Sequence, residues 1–271
     1  MGIRNILWIA IAGSLFSCGR NAQKNGDASG TNKTHGAKDT LVYAYQTIKE
    51  RAADCGNKPD SSCTVAHITY PYFTSQSALN DTITNRLLAI NNIGEKPDKN
   101  LHEQAKNFIQ AYMNDSLRKS NPGMVYSLES SATVVRQDSS LTTIQIDRYL
   151  FAGGAHGSTF TGFINWDSNA NKSIKLDDIL VDDYRDKLAP IAEKIFHDQD
   201  TTILDNNFSM VKNGKLVLTS NFLVTPIGLS FLYNEYELKP YSEGQTTILI
   251  PYVQIKPLLR PNTVISQYLK K

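Results

Sequence analysis

Three consecutive stretches in the middle of the chain alternate between apolar and polar residues with a period of two. They are VYSLESSATVVRQDS (125–139), LTTIQIDRYLFAG (141–153) and TFTGFINWD (159–167). Successive side chains of a β-strand point to opposite faces, so this alternation predicts strands with one buried face. The connections are short and polar or rich in glycine, as in hairpins. We therefore expect three consecutive antiparallel strands at the centre of the fold.

The remaining patterns extend this sheet and add helices. Alternation over 41–48 and 64–73 predicts a further pair of strands, and helical spacing of apolar residues predicts helices over 77–91, 101–113 and 183–197. Later strands are predicted at GKLVLTSNFLV, GLSFLYN and TTILIPY, with a short amphipathic end over 264–269. Strands cluster with strands and helices with helices, which predicts an α+β fold with helices packed on an antiparallel β-sheet. We expect two closely packed subdomains, 41–135 and 136–271.

The N-terminus predicts export and lipid attachment. The apolar run from Ile6 to Phe16 is too short to span a bilayer and is typical of a signal peptide over 1–17. The ending Leu-Phe-Ser-Cys resembles a bacterial lipobox, which implies cleavage before Cys18 and its acylation. Residues 18–40 are polar and lack aromatic side chains, so we expect a flexible tether. The expected location is the cell envelope, on the outer membrane facing the periplasm.

Two further cysteines, Cys55 and Cys63, flank a loop that contains Gly56, Asn57 and Pro59. In an exported protein this pair predicts a disulfide that closes the connection between two strands. A zinc site is the rival interpretation, but no histidine or second cysteine pair lies close in sequence.

Several function classes lack their sequence signatures. The formal net charge is only +2, so the balance of charges predicts no nucleic-acid partner. Of the five histidines, none has a second histidine one helical turn away, and His102 has Lys106 where a paired zinc ligand would stand. Nucleophile elbows, phosphate loops and dinucleotide-binding glycine motifs do not occur. We expect no metal and no cofactor.

The sequence Gly-Gly-Ala-His-Gly, residues 153–157, lies between two of the predicted central strands. Glycines there permit positive φ angles and close backbone approach, as in a hairpin or a bulged corner. His156 could serve the structure, contact a ligand, or act as a general base with an acid such as Asp167 or Glu237.

The same stretch carries a family resemblance. YLFAGGAHGSTFTGFINWD, KSIKLDDIL and GLSFLYNEYELKPYSEGQTTILIPYVQIKPLL occur in this order over residues 149–259. They resemble the domain of unknown function found in the ectodomain of RsiV-type anti-sigma factors and beside the catalytic domain of PdaC-type peptidoglycan deacetylases. Residues 41–135 resemble the smaller domain that precedes it. The resemblance implies a sensing or binding role, because RsiV-type ectodomains act as lysozyme receptors.

We therefore expect a non-catalytic, lipid-anchored module that binds a protein such as a lysozyme or a cell-wall ligand such as peptidoglycan. Exposed tyrosine offers contact area and a polar tip at low entropic cost. The candidate surface comprises Gly153, Gly154, His156, Gly157, Tyr233, Asn234, Tyr236 and Tyr241. The alternative interpretation is that these tyrosines have a structural role, as core and corner residues. The alternative function is a peptidoglycan-directed hydrolase that uses His156 and a nearby acid.

Overall fold

The computed structural model describes residues 41–269, apart from 93, 95, 122 and 139. The predicted signal peptide, the lipidated Cys18 and the tether lie outside these residues. All of the described residues belong to one compact unit. Among them, no helix is both long enough and apolar enough to cross a membrane.

A six-stranded sheet holds its strands in chain order. The strands are β1 (Tyr43–Arg51), β2 (Val65–Phe73), β3 (Ser127–Asp138), β4 (Leu141–Phe151), β5 (Ser158–Asp167) and β6 (Lys172–Ser173). The predicted β1–β2 pair and the run β3–β4–β5 are antiparallel, as the alternation indicated. The β2–β3 pair is parallel, which the sequence did not predict. A parallel pair needs a long crossover, and the helices between β2 and β3 provide it.

Those crossover helices are α1 (Ser77–Asn91), α2 (Leu101–Asn114) and α3 (Ser116–Ser120). The Asn100 side chain caps α2 by accepting a hydrogen bond from the Glu103 amide at 2.9 Å. Helices α1 and α2 cover one face of the sheet and bury a first hydrophobic cluster, in which Leu79, Ile83 and Phe108 meet Ile68, Leu128 and Ile146. The expected Cys55–Cys63 disulfide is present beside this cluster, with a Cα–Cα distance of 5.4 Å.

The C-terminal half has its own sheet and its own core. After α4 (Leu176–Ile179) and α5 (Tyr184–Gln199) come a two-stranded hairpin, β7 (Val211–Lys212) with β8 (Lys215–Leu216), and a three-stranded sheet of β9 (Phe222–Val224), β10 (Gly228–Tyr233) and β11 (Thr246–Pro251). Leu188, Ala192 and Phe196 of α5 join Phe231 and Ile248 in the second hydrophobic cluster. The predicted strand GKLVLTSNFLV is two short strands, and the C-terminal piece is a 3-10 helix, Val264–Tyr268.

The two hydrophobic clusters divide late in the central sheet. The first runs from residue 48 to residue 166, and the second runs from residue 174 to residue 265 with the addition of Leu141. Strands β4 and β5 thus complete the sheet that β1 begins. The expected subdomain boundary at 135/136 falls within β3, whereas the clusters meet beyond β5.

Amide side chains join the two halves along the outer edge of β5. The Thr161 amide donates to Asn234 Oδ1 at 2.8 Å, and the Phe163 amide donates to Asn221 Oδ1 at 3.2 Å. Asn221 Nδ2 returns a hydrogen bond to the Thr161 carbonyl at 2.8 Å. Asn165 of β5 donates to the Phe222 carbonyl at 2.8 Å and accepts from the Val224 amide at 2.9 Å. Strand β6 pairs only with Trp166 and Asp167 at the end of this edge, and side chains take the place of a strand along the residues before them.

We expect Asn221→Ala to lower the free energy of unfolding by about 2 kcal/mol, because it leaves the Phe163 amide without its partner and leaves the Thr161 carbonyl with Asn234 alone. The measurement is urea denaturation at neutral pH. Asn207→Ala is the matched control, since Asn207 is exposed and its side chain contacts only Asp205. A loss no larger than that of the control would contradict the role of Asn221.

A second prediction concerns Asp200, which follows α5. The Lys239 ammonium, 2.8 Å away, and Thr202 hold the pKa of Asp200 well below its ordinary value of 3.8. Because this pKa is lower in the folded protein than in the unfolded protein, the ionised carboxylate stabilises the fold at pH values above the ordinary pKa. This stability is lost as the pH falls through the pKa of the folded state.

We expect Asp200→Asn to destabilise the protein by about 1–2 kcal/mol at pH 7. The difference between the two proteins should narrow as the pH falls below about 4, because the carboxylate is then protonated in the unfolded protein while it stays ionised in the folded protein until a much lower pH. Urea denaturation at several pH values measures both effects. A difference that stayed constant from neutral to strongly acidic pH would contradict the ionic role of Asp200.

Candidate functional site

The turn Gly153–Gly157 joins β4 to β5 and packs against two tyrosine rings. Gly153 has a φ of 82°, and a Cβ there would come 2.9 Å from the Tyr126 hydroxyl oxygen. At Gly157 a Cβ would come 2.5 Å from the ring of Tyr149. Gly154 has a φ of 106° with open space around it. The glycines thus let the turn lie close on Tyr126 and Tyr149, as the sequence indicated.

His156 projects from this turn and is exposed. Its Nδ1 lies 2.7 Å from the Gly157 carbonyl oxygen, which can only accept, so Nδ1 is the donor. In the neutral ring Nε2 is then the acceptor, and it lies 3.5 Å from the Tyr236 hydroxyl. The imidazole stacks on Tyr241 with ring centroids 4.0 Å apart and planes 20° from parallel.

Tyr236 and Tyr241 come from the segment between β10 and β11. Their ring centroids are 6.2 Å apart, and Tyr236 is 52% exposed. The Tyr236 amide donates to the Lys239 carbonyl at 2.9 Å, and Lys239 Nζ is held by Asp200 at 2.8 Å. The pair of charges thus ties the segment to the end of α5. We call His156, Tyr236 and Tyr241 the aromatic cluster.

Two residues of the expected surface point inward instead. Tyr233, the last residue of β10, is fully buried, and its hydroxyl donates to the Val217 carbonyl at 3.1 Å. Asn234 is buried, and its amide binds the backbone of Thr161. The structure therefore brings His156, Tyr236 and Tyr241 together at the surface, while Tyr233 and Asn234 are a core and a corner residue.

A polar cleft of about 480 Å³ lies on the sheet face that points away from α1 and α2. Its side chains alternate with core residues along β2 to β5, as the pleat requires. His67 Nδ1 lies 3.0 Å from Glu129 Oε2, and Asp147 accepts from Thr161 at 2.8 Å and from Gln145 at 2.9 Å. The lining residues include His67, Thr69, Glu129, Ser131, Asp147, Tyr149, Thr159, Thr161 and Gln245.

The aromatic cluster adjoins this cleft. Tyr149 lines the cleft and also packs beneath Gly157, next to His156. Thr159 lines the cleft, and its hydroxyl donates to Glu235, the neighbour of Tyr236, at 2.7 Å. Gln245, on the C-terminal side, donates to Asn234 at 3.0 Å. Aromatic rings and polar groups thus form one continuous surface across the two halves.

The acids proposed as partners of His156 lie elsewhere. Asp167 and His156 flank opposite ends of β5, about 30 Å apart for an extended strand of this length, and Asp167 accepts from the Asn169 amide at 2.9 Å. Glu237 accepts from the Asn234 amide at 2.8 Å, and burial raises the pKa of its carboxyl group. Within the described residues, no carboxylate hydrogen-bonds to His156.

Sequence reasoning missed the residues of the polar cleft. His67, Glu129 and Asp147 belong to three different strands, and each is an ordinary polar position in its own alternation. The signal that was available is the alternation itself, which marks these positions as the face opposite the core. Across the described residues, no group of three or more His, Cys, Asp or Glu side chains is arranged to hold a metal ion.

Two family models match the chain in adjacent regions. Residues 57–159 match the model described as Deacetylase PdaC. Residues 177–253 match the model described as Protein of unknown function (DUF3298). No curated protein matches the chain significantly.

Solved structures show the same fold. A DUF3298 family member from Bacteroides fragilis NCTC 9343 has a TM-score of 0.68 at 23% identity, over 86% of this chain and 100% of its own. A DUF3298 family protein from Pseudomonas aeruginosa PAO1 has a TM-score of 0.66 at 22% identity, over 83% of this chain and 96% of its own. The chain therefore matches a PdaC-type model and then a DUF3298 model, and it has the fold of the DUF3298 structures, as the sequence resemblance predicted.

Proposed function

We propose that this chain is a non-catalytic binding module of the cell envelope, anchored through a lipid on Cys18, whose ligand is a cell-wall saccharide. The observation that carries the proposal is the exposed aromatic cluster at the end of the polar cleft. It offers flat rings beside hydroxyl, carboxylate and amide groups on one surface. Localisation and anchoring rest on the N-terminal sequence alone.

The chemistry of the surface fits a saccharide. A sugar ring has an apolar face that packs on an aromatic ring, and its hydroxyls donate to carboxylates and accept from amides. The acceptors Glu129 and Asp147, the amide of Gln245 and the hydroxyl of Thr161 line one open cleft. Few, fixed polar groups of this kind orient a ligand, while the rings supply most of the contact area.

The geometry around His156 supports binding over hydrolysis. A general base needs a nucleophile or water in reach and a group that orients its ring. Here the Gly157 carbonyl orients the ring, and the nearest polar group to Nε2 is the Tyr236 hydroxyl at 3.5 Å. A bound sugar hydroxyl could donate to this nitrogen.

We expect the full-length protein, purified in detergent, to bind muropeptides saturably, and Tyr241→Ala to raise the dissociation constant at least about 10-fold. Truncating a stacked aromatic contact at a hot spot costs about 1.4 kcal/mol or more, which is a factor of ten in affinity. Isothermal titration calorimetry measures both constants. Removal of Tyr241 also frees the His156 ring from its stacking partner.

Tyr72→Ala is the control for this experiment. Tyr72 is a 49% exposed tyrosine near the end of β2, outside the polar cleft. Its loss should leave affinity unchanged. Absence of binding to muropeptides by the wild-type protein, or equal effects of the two substitutions, would overturn the proposal. Immobilised lysozymes are tested in parallel, because the resemblance makes them the first protein ligands to test. Binding to lysozymes without binding to muropeptides would also overturn the proposal that the ligand is a saccharide.

The hydrolase alternative is tested with His156→Ala. We expect peptidoglycan incubated with the wild-type protein to yield no soluble fragments beyond those of a buffer blank, as measured by mass spectrometry, and the variant to lose affinity for muropeptides. Fragment release by the wild-type protein that His156→Ala abolished, with an unchanged melting temperature, would establish hydrolysis instead.

A further inference from the structure

A second cleft, with a volume of about 620 Å³, lies where the two hydrophobic clusters meet. Residues from α1 and β5 form one side, and residues from α4, the first turn of α5 and the segment before β9 form the other. It shares no lining residue with the polar cleft. We call it the cationic cleft, for Arg86, Lys175 and Arg185.

These three cations reach one cleft from separate parts of the chain. Arg86 is on α1, Lys175 precedes α4, and Arg185 is in the first turn of α5. None of them forms an ion pair with an acid of the described residues. Asp177 is the one carboxylate among the lining residues, and nearby Asp178 is already paired with Lys172 at 2.6 Å. The cleft therefore carries an excess of positive charge.

Arg86 lies beside a glycine of β5. Gly162 of β5 is buried, and a Cβ built there would lie 3.5 Å from Arg86 Nη2 and 2.9 Å from the Phe160 ring. The Arg86 guanidinium therefore lies close to the backbone of β5. Arg86 is exposed and lines the cleft, and a guanidinium can donate two parallel hydrogen bonds to a planar anion.

The rest of the lining is half apolar. Phe163, Leu176 and Phe222 contribute apolar surface, and Asn85 and Ser220 contribute neutral polar groups. A bare inorganic ion would leave this apolar surface unused. The lining instead suits a small organic molecule that carries an anionic group beside a ring or an alkyl portion.

The surroundings also limit the charge of the ligand. Asp182, Asp183 and Asp186 line a neighbouring cavity, which shares Asp177 and Arg185 with the cationic cleft. These acids would repel a polyanion that extended past the cleft. A ligand with a single anionic group can contact the three cations without reaching these acids.

We propose that the cationic cleft is a binding site for a small organic ligand with one carboxylate or phosphate group. The site is separate from the saccharide surface proposed above. Arg86, Lys175 and Arg185 bind the anion. The part of the lining that contains Phe163 and Phe222 packs against the remainder of the ligand. Because both halves of the molecule line the cleft, the bound ligand also bridges the two hydrophobic clusters.

Two matched pairs of probes test this site on the full-length protein in detergent. Benzoate carries a charge that benzyl alcohol lacks, and phenyl phosphate carries a charge that phenol lacks. We expect one of the two anions to bind with a dissociation constant of about 1 mM or tighter by calorimetry. Its neutral partner should bind at least about 10-fold more weakly, and the affinity should fall between about 0.05 M and about 0.5 M NaCl.

Substitutions place the binding in this cleft. Arg86→Gln should weaken the anion at least about 10-fold, a change of about 1.4 kcal/mol, while Lys187→Gln makes the same change of charge on exposed α5 surface outside the cleft and should have no effect. Tyr241→Ala, in the aromatic cluster, should also leave this affinity unchanged. Failure of both anions to bind, equal binding of the neutral partners, or equal effects of Arg86→Gln and Lys187→Gln would overturn the proposal.

Discussion

The outer edge of β5 is the constraint on which the arrangement of this molecule depends. An edge strand presents unpaired amides and carbonyls, and leaving them buried without partners costs more than a single hydrogen bond is worth. Here Asn221, Asn234 and Glu235 supply the partners through their side chains. Apart from the two residues that pair with β6, the edge is thereby closed without another strand. The C-terminal half docks on the sheet while it keeps a core of its own.

Both clefts follow from this mode of docking. The polar cleft takes residues 159–161 of β5, and the cationic cleft takes residues 163–165. Between them lie the contacts of Asn221 and Asn234 with Thr161 and Phe163. A continuous ladder of strands would have covered this edge evenly, whereas contacts through amide side chains hold the halves together at one stretch and leave space on either side. The groups that join the halves therefore also separate the two proposed binding surfaces.

The sequence predicted the elements well and the site in part. Period-two alternation identified β3, β4 and β5 because one face of each strand is buried, and the same reasoning identified the β1–β2 pair. The alternation pattern does not predict contacts between residues that are distant in the chain. Tyr233 and Tyr236 stand three residues apart, yet one is buried and the other is 52% exposed, because the chain turns through a positive φ at Tyr236. Nothing local distinguishes Asn234, whose partner is a strand seventy residues earlier.

Three contacts fix the arrangement of the His156 side chain. Its Nδ1 donates to the Gly157 carbonyl, and one face of the ring stacks on Tyr241. Its Nε2 lies toward the Tyr236 hydroxyl and the surface. The group that orients the ring is the Gly157 carbonyl, in place of the carboxylate that orients the histidine of a catalytic triad. The ring is thus held flat against Tyr241, with Nδ1 bound to the Gly157 carbonyl and Nε2 on the side of Tyr236. That state suits a side chain that orients a donor hydroxyl and packs beside it, and the polar cleft that begins at Tyr149 extends the same chemistry across the sheet.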